Sequence, residues 1–229
     1  MKNMKNLLKA VLLFAAFAMV ACTTNVKKDK TSLDEEPTNS ELIPEQQTEQ
    51  NGTKDELLKL EQQNGKYGFI DKKTGEVVIP FKYDFAWGSF NEGLAAVQLD
   101  GKFGFIDETD KVVIPFKYHF ADSFSEGLAV VESTGKRGFI DKTDMLVIPL
   151  KYDYAYGFSE GLAAVELNGK FGFIDKTDNE IILFKYDSAE NFSEGIAKVK
   201  ITGKIFYIDK QGNEYATKEE AQKAVNDIK

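Results

Sequence analysis

Cysteine, histidine and tryptophan each occur once in this chain, and proline only five times in 229 residues. Each scarcity excludes something. The lone Cys22 cannot form a disulfide within the chain, so an oxidising compartment would offer no internal staple. With His119 as the single histidine, a zinc site built on His and Cys ligands cannot be assembled. No apolar run reaches the roughly 20 residues that a membrane-spanning helix needs. Basic residues form no stripe, and the formal charge is −8, so nucleic acid is not an expected partner. Neither the calcium-loop pattern of the EF-hand nor that of the glycine-rich nonapeptides occurs, and no cofactor is expected.

What is present begins with a segment that is read as removable. Lys2, Lys5 and Lys9 precede the uncharged stretch AVLLFAAFAMV at 10–20, and Ala21-Cys22 closes it. This is the pattern of a secretory signal peptide over 1–21. Its end resembles the lipobox of bacterial lipoproteins, with Met19 where that motif favours Leu. The resemblance implies that Cys22 is lipidated; the other reading is an ordinary secretory signal that happens to end in Cys. Lipidation would anchor the chain to the bacterial cell envelope, at the outer membrane or cell surface, and would remove Cys22 from any Cys–His pair. Residues 22–55 carry no aromatic side chain and few apolar ones, the composition of a disordered tether. Taking three lysines and no acid off the formal charge of −8 leaves −11 for the mature chain. That charge favours solubility and disfavours adhesion of the folded part to anionic lipid.

From residue 65 one heptapeptide returns five times: GKYGFID, GKFGFID, GKRGFID, GKFGFID and GKIFYID, starting at Gly65, Gly101, Gly135, Gly169 and Gly203. The first step is 36 residues and the next three are 34 each, a spacing that signals a repeat array. Asn-Gly and Asp-Gly before the second strand are hairpin turns; Thr134-Gly135 and Thr202-Gly203 are weaker versions. The unit is then LAAVQL, turn, KFGFID, turn, KVVIP: a three-stranded antiparallel meander, present five times in 56–216. Pro80, Pro115 and Pro149 are expected to end the third strand. Phe69, Val78, Phe90 and Val97 are expected to find partners in the next copy, because a unit this small cannot bury its own core. Gly68, Gly104, Gly138 and Gly172 are expected where a neighbour approaches closely. Residues 217–229 break the pattern: Thr217 and Glu220 have capping-box spacing, and Ala221, Ala224, Val225 and Ile228 form an apolar helical face. The fold class expected is all-β, an open solenoid-like array of meanders with a short capping helix. A five-bladed, propeller-like closure is the alternative.

At this level the chain resembles the WG β-repeat family, whose units combine Gly-Lys-Trp-Gly-Phe-Ile-Asp, Ile-Pro-x-x-Tyr-Asp and Phe-Ser-Glu-Gly-Leu-Ala. The resemblance covers 65–209. Tyr67, Phe103, Arg137, Phe171 and Ile205 stand where the family favours Trp, and the literal Trp87-Gly88 falls in a connection. The resemblance implies architecture rather than an activity.

No catalytic set emerges. A Ser–His–Asp triad would need His119, which occupies a place filled by Asp84, Asp153 and Asp187 in other copies. The recurring Asp71, Asp107, Asp141, Asp175 and Asp209, and the recurring Glu92, Glu126, Glu160 and Glu194, could in principle serve glycoside hydrolysis or hold calcium. An Asp present at the same turn of every copy more often bonds the turn's own amides. Function is instead sought where the copies disagree: Trp87, Asp122, Tyr156 and Glu190 follow the same Ala, and Trp87 and Tyr156 are expected to be exposed on one side. The reading is a non-enzymatic, lipid-anchored scaffold presenting a surface to a protein or glycan. A hydrolase of envelope or extracellular polymer, or a purely structural envelope protein, are the rivals.

Overall fold

The computed structural model describes residues 57–227; the segments read as signal peptide and tether, Cys22 and Ile228 lie outside them. The first sheet joins β1 (Leu58–Gln63), β2 (Lys66–Asp71) and β3 (Val77–Tyr83). The second joins β4 (Phe85–Ala86), β5 (Ala95–Leu99), β6 (Lys102–Ile106) and β7 (Val112–Tyr118). The third has β8 (Phe120–Ala121), β9 (Ala129–Ser133), β10 (Lys136–Ile140) and β11 (Leu146–Tyr152). The fourth has β12 (Tyr154–Ala155), β13 (Ala163–Leu167), β14 (Lys170–Ile174) and β15 (Glu180–Tyr186). The fifth has β16 (Ser188–Ala189), β17 (Ile196–Ile201), β18 (Lys204–Asp209) and β19 (Glu214–Tyr215), followed by α1 (Lys218–Asp227). All pairings are antiparallel and sequential, and the sheets are open. The two-residue strands β4, β8, β12 and β16 fall in what the sequence pattern presents as a connection.

The meanders form for local reasons. Every predicted hairpin dipeptide has two positive φ values, Thr134 and Thr202 included, at 55° and 50°. The strand twist selects this turn geometry even where the residue is not the favoured one. Strands such as β5 are buried on both faces, which explains their small residues. Ala95 and Val97 face the preceding sheet, while Leu94 and Ala96 face the following one.

Four hydrophobic clusters result, each shared by two consecutive sheets. In the first, Phe69 and Ile79 of one sheet meet Phe90, Val97 and Ile106 of the next; the rings of Phe69 and Phe90 lie 4.8 Å apart. Phe105–Phe124, Phe139–Phe158 and Phe173–Phe192 repeat that contact at 4.9 Å. Five sheets joined by four cores form an open stack: among the described residues, no cluster and no strand pairing links the first sheet to the fifth.

Two expectations need correction. Proline does not end the third strand, which runs on to Tyr83, Tyr118 and Tyr152. Tyr67 pairs with Tyr83 and Phe69 with Ile79, so the chain from Pro80 to Lys82 bulges opposite Gly68. The bulge lets Pro80 sit in an edge strand without breaking a ladder bond. It also presses Ile79 O onto Gly68, where a Cβ would stand 2.5 Å away, so the expected close approach is real. Secondly, Val78 is 43 % exposed while Ile79 is fully buried. The alternation of the strand gives the core position to Ile79, opposite Phe69.

The ends are finished differently. The outer face of the first sheet carries an ion pair of Lys59 and Glu61, 2.5 Å apart, where later copies have Ala and Val. At the other end α1 lies against β17, β18 and β19. The Thr217 hydroxyl accepts from the Glu220 amide, and the Glu220 carboxylate accepts from the Ala216 amide, each at 3.2 Å. Ala221 is fully buried and Val225 packs on Gly195.

Candidate functional site

The recurring acids are engaged in four kinds of bond: turns, staples and clamps, and a bridge from a lysine to the next hairpin. The first holds a turn together: Asp71 accepts from the Lys73 and Thr74 amides at 2.7 and 2.8 Å. Asp107, Asp141, Asp175 and Asp209 do the same in later copies. At Asp175 burial raises the pKa, but bonds from Asn179 and Thr177 prevail and bring it down to about 2.

The second kind staples one sheet to the next. Glu126 accepts from the Gly161 amide at 3.1 Å, and Lys176 Nζ reaches its carboxylate at 3.0 Å and its carbonyl at 2.8 Å. Glu92 is held in the same way by Gly127 and Lys142, and Glu160 by Gly195 and Lys210. Burial works against ionisation of Glu92 and Glu126, yet these donors hold both carboxyls below their ordinary range. At the last such position, among the described residues, no sixth sheet supplies a lysine. There Gln222 of α1 donates to Glu194 O at 3.1 Å, taking the place that lysine occupies in the other copies.

The third kind is a clamp of Lys and Tyr on an acid in the next sheet. Lys82 and Tyr83 both donate to Asp110 at 2.5 Å. Lys117 and Tyr118 hold Asp144, and Lys151 and Tyr152 hold Asp178. Burial and the facing carboxylate push the hydroxyls of Tyr83, Tyr118 and Tyr152 well above the usual tyrosine pKa. Asp84, Asp153 and Asp187 bridge Lys66, Lys136 and Lys170 to the amide of the next hairpin. His119 holds that place in the second copy and is exposed, making none of these bonds.

One cavity of about 360 Å³ does gather acids from different copies: Glu160, Glu194 and Asp209 line it. Glu160 is occupied by Gly195 and Lys210, and Asp209 by Asn213 and Tyr215. Only Glu194 is left with an open carboxylate, whereas glycoside hydrolysis asks for two acting together.

The positions at which the copies disagree form a column with mixed environments. Trp87 is half-buried rather than exposed. Its Nε1 donates to Ala121 O at 2.7 Å, and its ring packs edge-on against Phe85 and Phe120 at 5.0 and 6.1 Å. An indole with a backbone acceptor in reach is drawn into the joint between sheets. Asp122 is half-buried and accepts from the Ser123 amide at 2.7 Å. Tyr156 is 36 % exposed and leans on Tyr154, 5.0 Å between centroids. Glu190 is exposed and pairs with Lys198 at 3.1 Å.

Beside this column runs a ladder of side chains that single strands do not reveal. Tyr67, Phe85, Phe103 and Phe120 follow one another at 5.8 to 6.1 Å. Arg137 then lies between Phe120 and Tyr154, 4.4 and 3.9 Å from their centroids, and donates to Ala155 O at 3.2 Å. The ladder resumes at Phe171, 6.2 Å from Tyr154. In the fifth sheet its places fall to exposed Ser188 and Ile205, and Lys200 lies between them in register. Lys198 and Lys200 are not singled out by the sequence reading, and Arg137 enters it only as a departure from the family's Trp. The signal for the lysines was there: they replace Ala, Val, Gln or Glu of the other copies.

Comparison with protein families finds the WG containing repeat at 67–103, 103–136, 138–171 and 171–204. Comparison with curated proteins finds no match. Among solved structures, a eukaryotic initiation factor is similar with a TM-score of 0.50 and 12 % identity, over 70 % of this chain and 51 % of that one. PorZ, an essential surface component of the type-IX secretion system of Porphyromonas gingivalis, is similar with a TM-score of 0.38 and 11 % identity, over 66 % and 24 %. The extracellular domain of a one-component system of B. thetaiotaomicron gives 0.38 and 13 %, over 68 % and 30 %. This chain therefore spans about half of the first structure and less of the others. The first likeness is one of fold.

Proposed function

The chain belongs to the WG-repeat family, and on that premise we propose that it is a lipid-anchored scaffold of the bacterial envelope, without catalytic activity, that presents a binding surface to a protein or glycan. The observation that supports this most is how the acids are used. Turns, staples and clamps engage nearly every recurring carboxylate. Tyr156 and Glu190, where the copies diverge, stay exposed on a stack made rigid by those bonds. Variable exposed side chains on a rigid frame are the usual form of a recognition surface.

Anchoring through Cys22 rests on the sequence. Several acyl chains, at about 0.8 kcal/mol per buried CH₂, hold firmly where one does not. Two experiments test the proposal. Cys22→Ser is expected to move the protein from the membrane pellet to the soluble fraction; if the variant stays in the pellet at the processed size, the anchor is something else. Cross-linking on cells followed by pull-down should capture a partner with the wild type and lose it with Tyr156→Ala plus Glu190→Ala. Polymer hydrolysis by the purified chain would favour the rival enzyme.

A further inference from the structure

We infer that the outer face of the fifth sheet is a binding site for an acidic polysaccharide, a glycan whose sugar rings carry carboxylates. This rests on the scaffold reading above and names the ligand class within it. The equivalent face of every earlier sheet is buried by its successor: Leu94, Ala96, Phe103 and Phe105 of the second sheet lie in the core shared with the third. Among the described residues no further sheet packs on the fifth, and its face is built from different residues. Register places Ser188, Lys200 and Ile205 in one row, and Lys198 opposite Tyr207 in the next. Strand alternation puts Ile196, Lys198 and Lys200 on one side. Contact with α1 leaves Ile205 51 % exposed.

Two adjoining depressions lie on this face and share Glu190 and Lys198. One, of about 250 Å³, has Tyr207 and Ile196 as its apolar part, with Asn191, Ser193 and Lys218 completing it. The other, of about 120 Å³, is formed around Ser188, Lys200 and Ile205.

The chemistry of this face differs from that of the rest of the chain. The formal charge is −8 overall, yet the two depressions are lined by Lys198, Lys200 and Lys218 with Glu190 as their one acid, while Glu219 and Glu220 follow Lys218 in the first turn of α1. Among the described residues only Lys198 of the three has an ion-pair partner, whereas lysines between the sheets are bound in staples and clamps. An anionic ligand is repelled by most of the surface and focused on this face. Rings with a hydrophobic side and hydroxyls around it match an apolar floor of Tyr207 and Ile205 with a polar rim of Ser188, Ser193 and Glu190. Carboxylates repeated along a polymer match three spaced cations, two on the sheet face and Lys218 at the start of α1, better than a single ion would. The pairs here are exposed and individually weak, so affinity comes from several sites on one chain of ligand.

The test uses the full-length chain and titrates polygalacturonate, neutral dextran of similar size, and poly-glutamate peptide, followed by calorimetry at two salt concentrations. Polygalacturonate is expected to bind, more weakly at higher salt, with dextran silent and the peptide at least tenfold weaker. Lys200→Glu and Lys218→Glu, both exposed and unpaired, should each weaken polygalacturonate at least tenfold without changing the circular dichroism. Tyr207→Ala should weaken it with charge unaltered, and Lys73→Glu, in a turn of the first sheet, should leave it as it is. The inference is overturned by absence of binding, by equal binding of dextran or the peptide, or by a loss with Lys73→Glu as large as with Lys200→Glu. If cells yield a partner that depends on Tyr156 while polygalacturonate fails, this inference falls and the scaffold reading stands; if neither is seen, both fall.

Discussion

Lys176 Nζ lies 2.8 Å from the carbonyl and 3.0 Å from the carboxylate of Glu126, fifty residues earlier in the chain. The same pairing at 92–142 and 160–210 makes it the regular fastening between sheets. Glu126→Ala removes the carboxylate that accepts from Lys176 and from the Gly161 amide, and leaves Lys176 only the backbone carbonyl. Hydrogen bonds to a charged group are worth about 1.5–3 kcal/mol, reduced here because both side chains are partly exposed. The expected loss in urea melts is about 1–2 kcal/mol, and Glu126→Gln should retain part of it. Equal stability of wild type and Glu126→Ala would show the staple to be ornamental.

Phe124 and Trp87 both sit between sheets, but to different depths. Phe124→Ala is expected to cost about 3–5 kcal/mol, the range for a buried ring. Trp87→Ala leaves half-buried rings and an unpaired Ala121 carbonyl, so about 1.5–3 kcal/mol is expected. Tyr156→Ala should cost less than about 1 kcal/mol. Denaturant melts of the three variants check the order, and a Tyr156 loss as large as that of Trp87 would remove Tyr156 from the exposed surface.

Gly138 is the point where the bulged strand crosses closest. A Cβ there would meet Ile148 O at 2.5 Å, while one on Gly135 would meet nothing within 4 Å. Gly138→Ala must therefore push strands apart, at about 1–3 kcal/mol. Gly135→Ala suffers only from its positive φ of 78°, and should cost about 1 kcal/mol. Reversal of that order would contradict the bulge.

Acid should loosen the turns in a defined window. Asp175 has its folded pKa lowered to about 2, below the roughly 3.9 of an unfolded Asp. Its stabilisation is therefore present above about pH 4 and is lost as pH falls towards 2. Asp175→Asn should be less stable than wild type at pH 7 and equal to it near pH 2. A constant difference across that range would mean that the charge on Asp175 is not what holds the turn.

His119 offers a gain instead of a loss. His119→Asp restores the bridge that Asp84, Asp153 and Asp187 make, here from Lys102 to the Thr134 hairpin. The melting temperature should rise by about 1–3 °C at low salt, and less at high salt. A fall would show that the second copy is built around its histidine.

Much of this architecture could be read from residue order alone, because each feature concerned neighbours along the chain. Turn dipeptides such as Asn64-Gly65, the alternation in GKFGFID and the 34-residue step are local properties, and they determined the meanders, their number and the capping box at Thr217. The places of Pro80 and Val78 are not legible there because a bulge is settled between two strands: only the pairing of Phe69 with Ile79 shows which residue faces inward. Likewise Trp87 looked exposed from the variety of side chains at its position, and the Ala121 carbonyl that draws it inward lies in the next copy. Staples and clamps such as Glu126–Lys176 and Tyr83–Asp110 link residues 26 to 50 apart, distances at which sequence carries no record of contact. The sequence by itself determined what one repeat is. Stacking decided which of its faces are buried and left the lysine-bearing face of the last sheet open, since a face is exposed only through the absence of a neighbour to cover it.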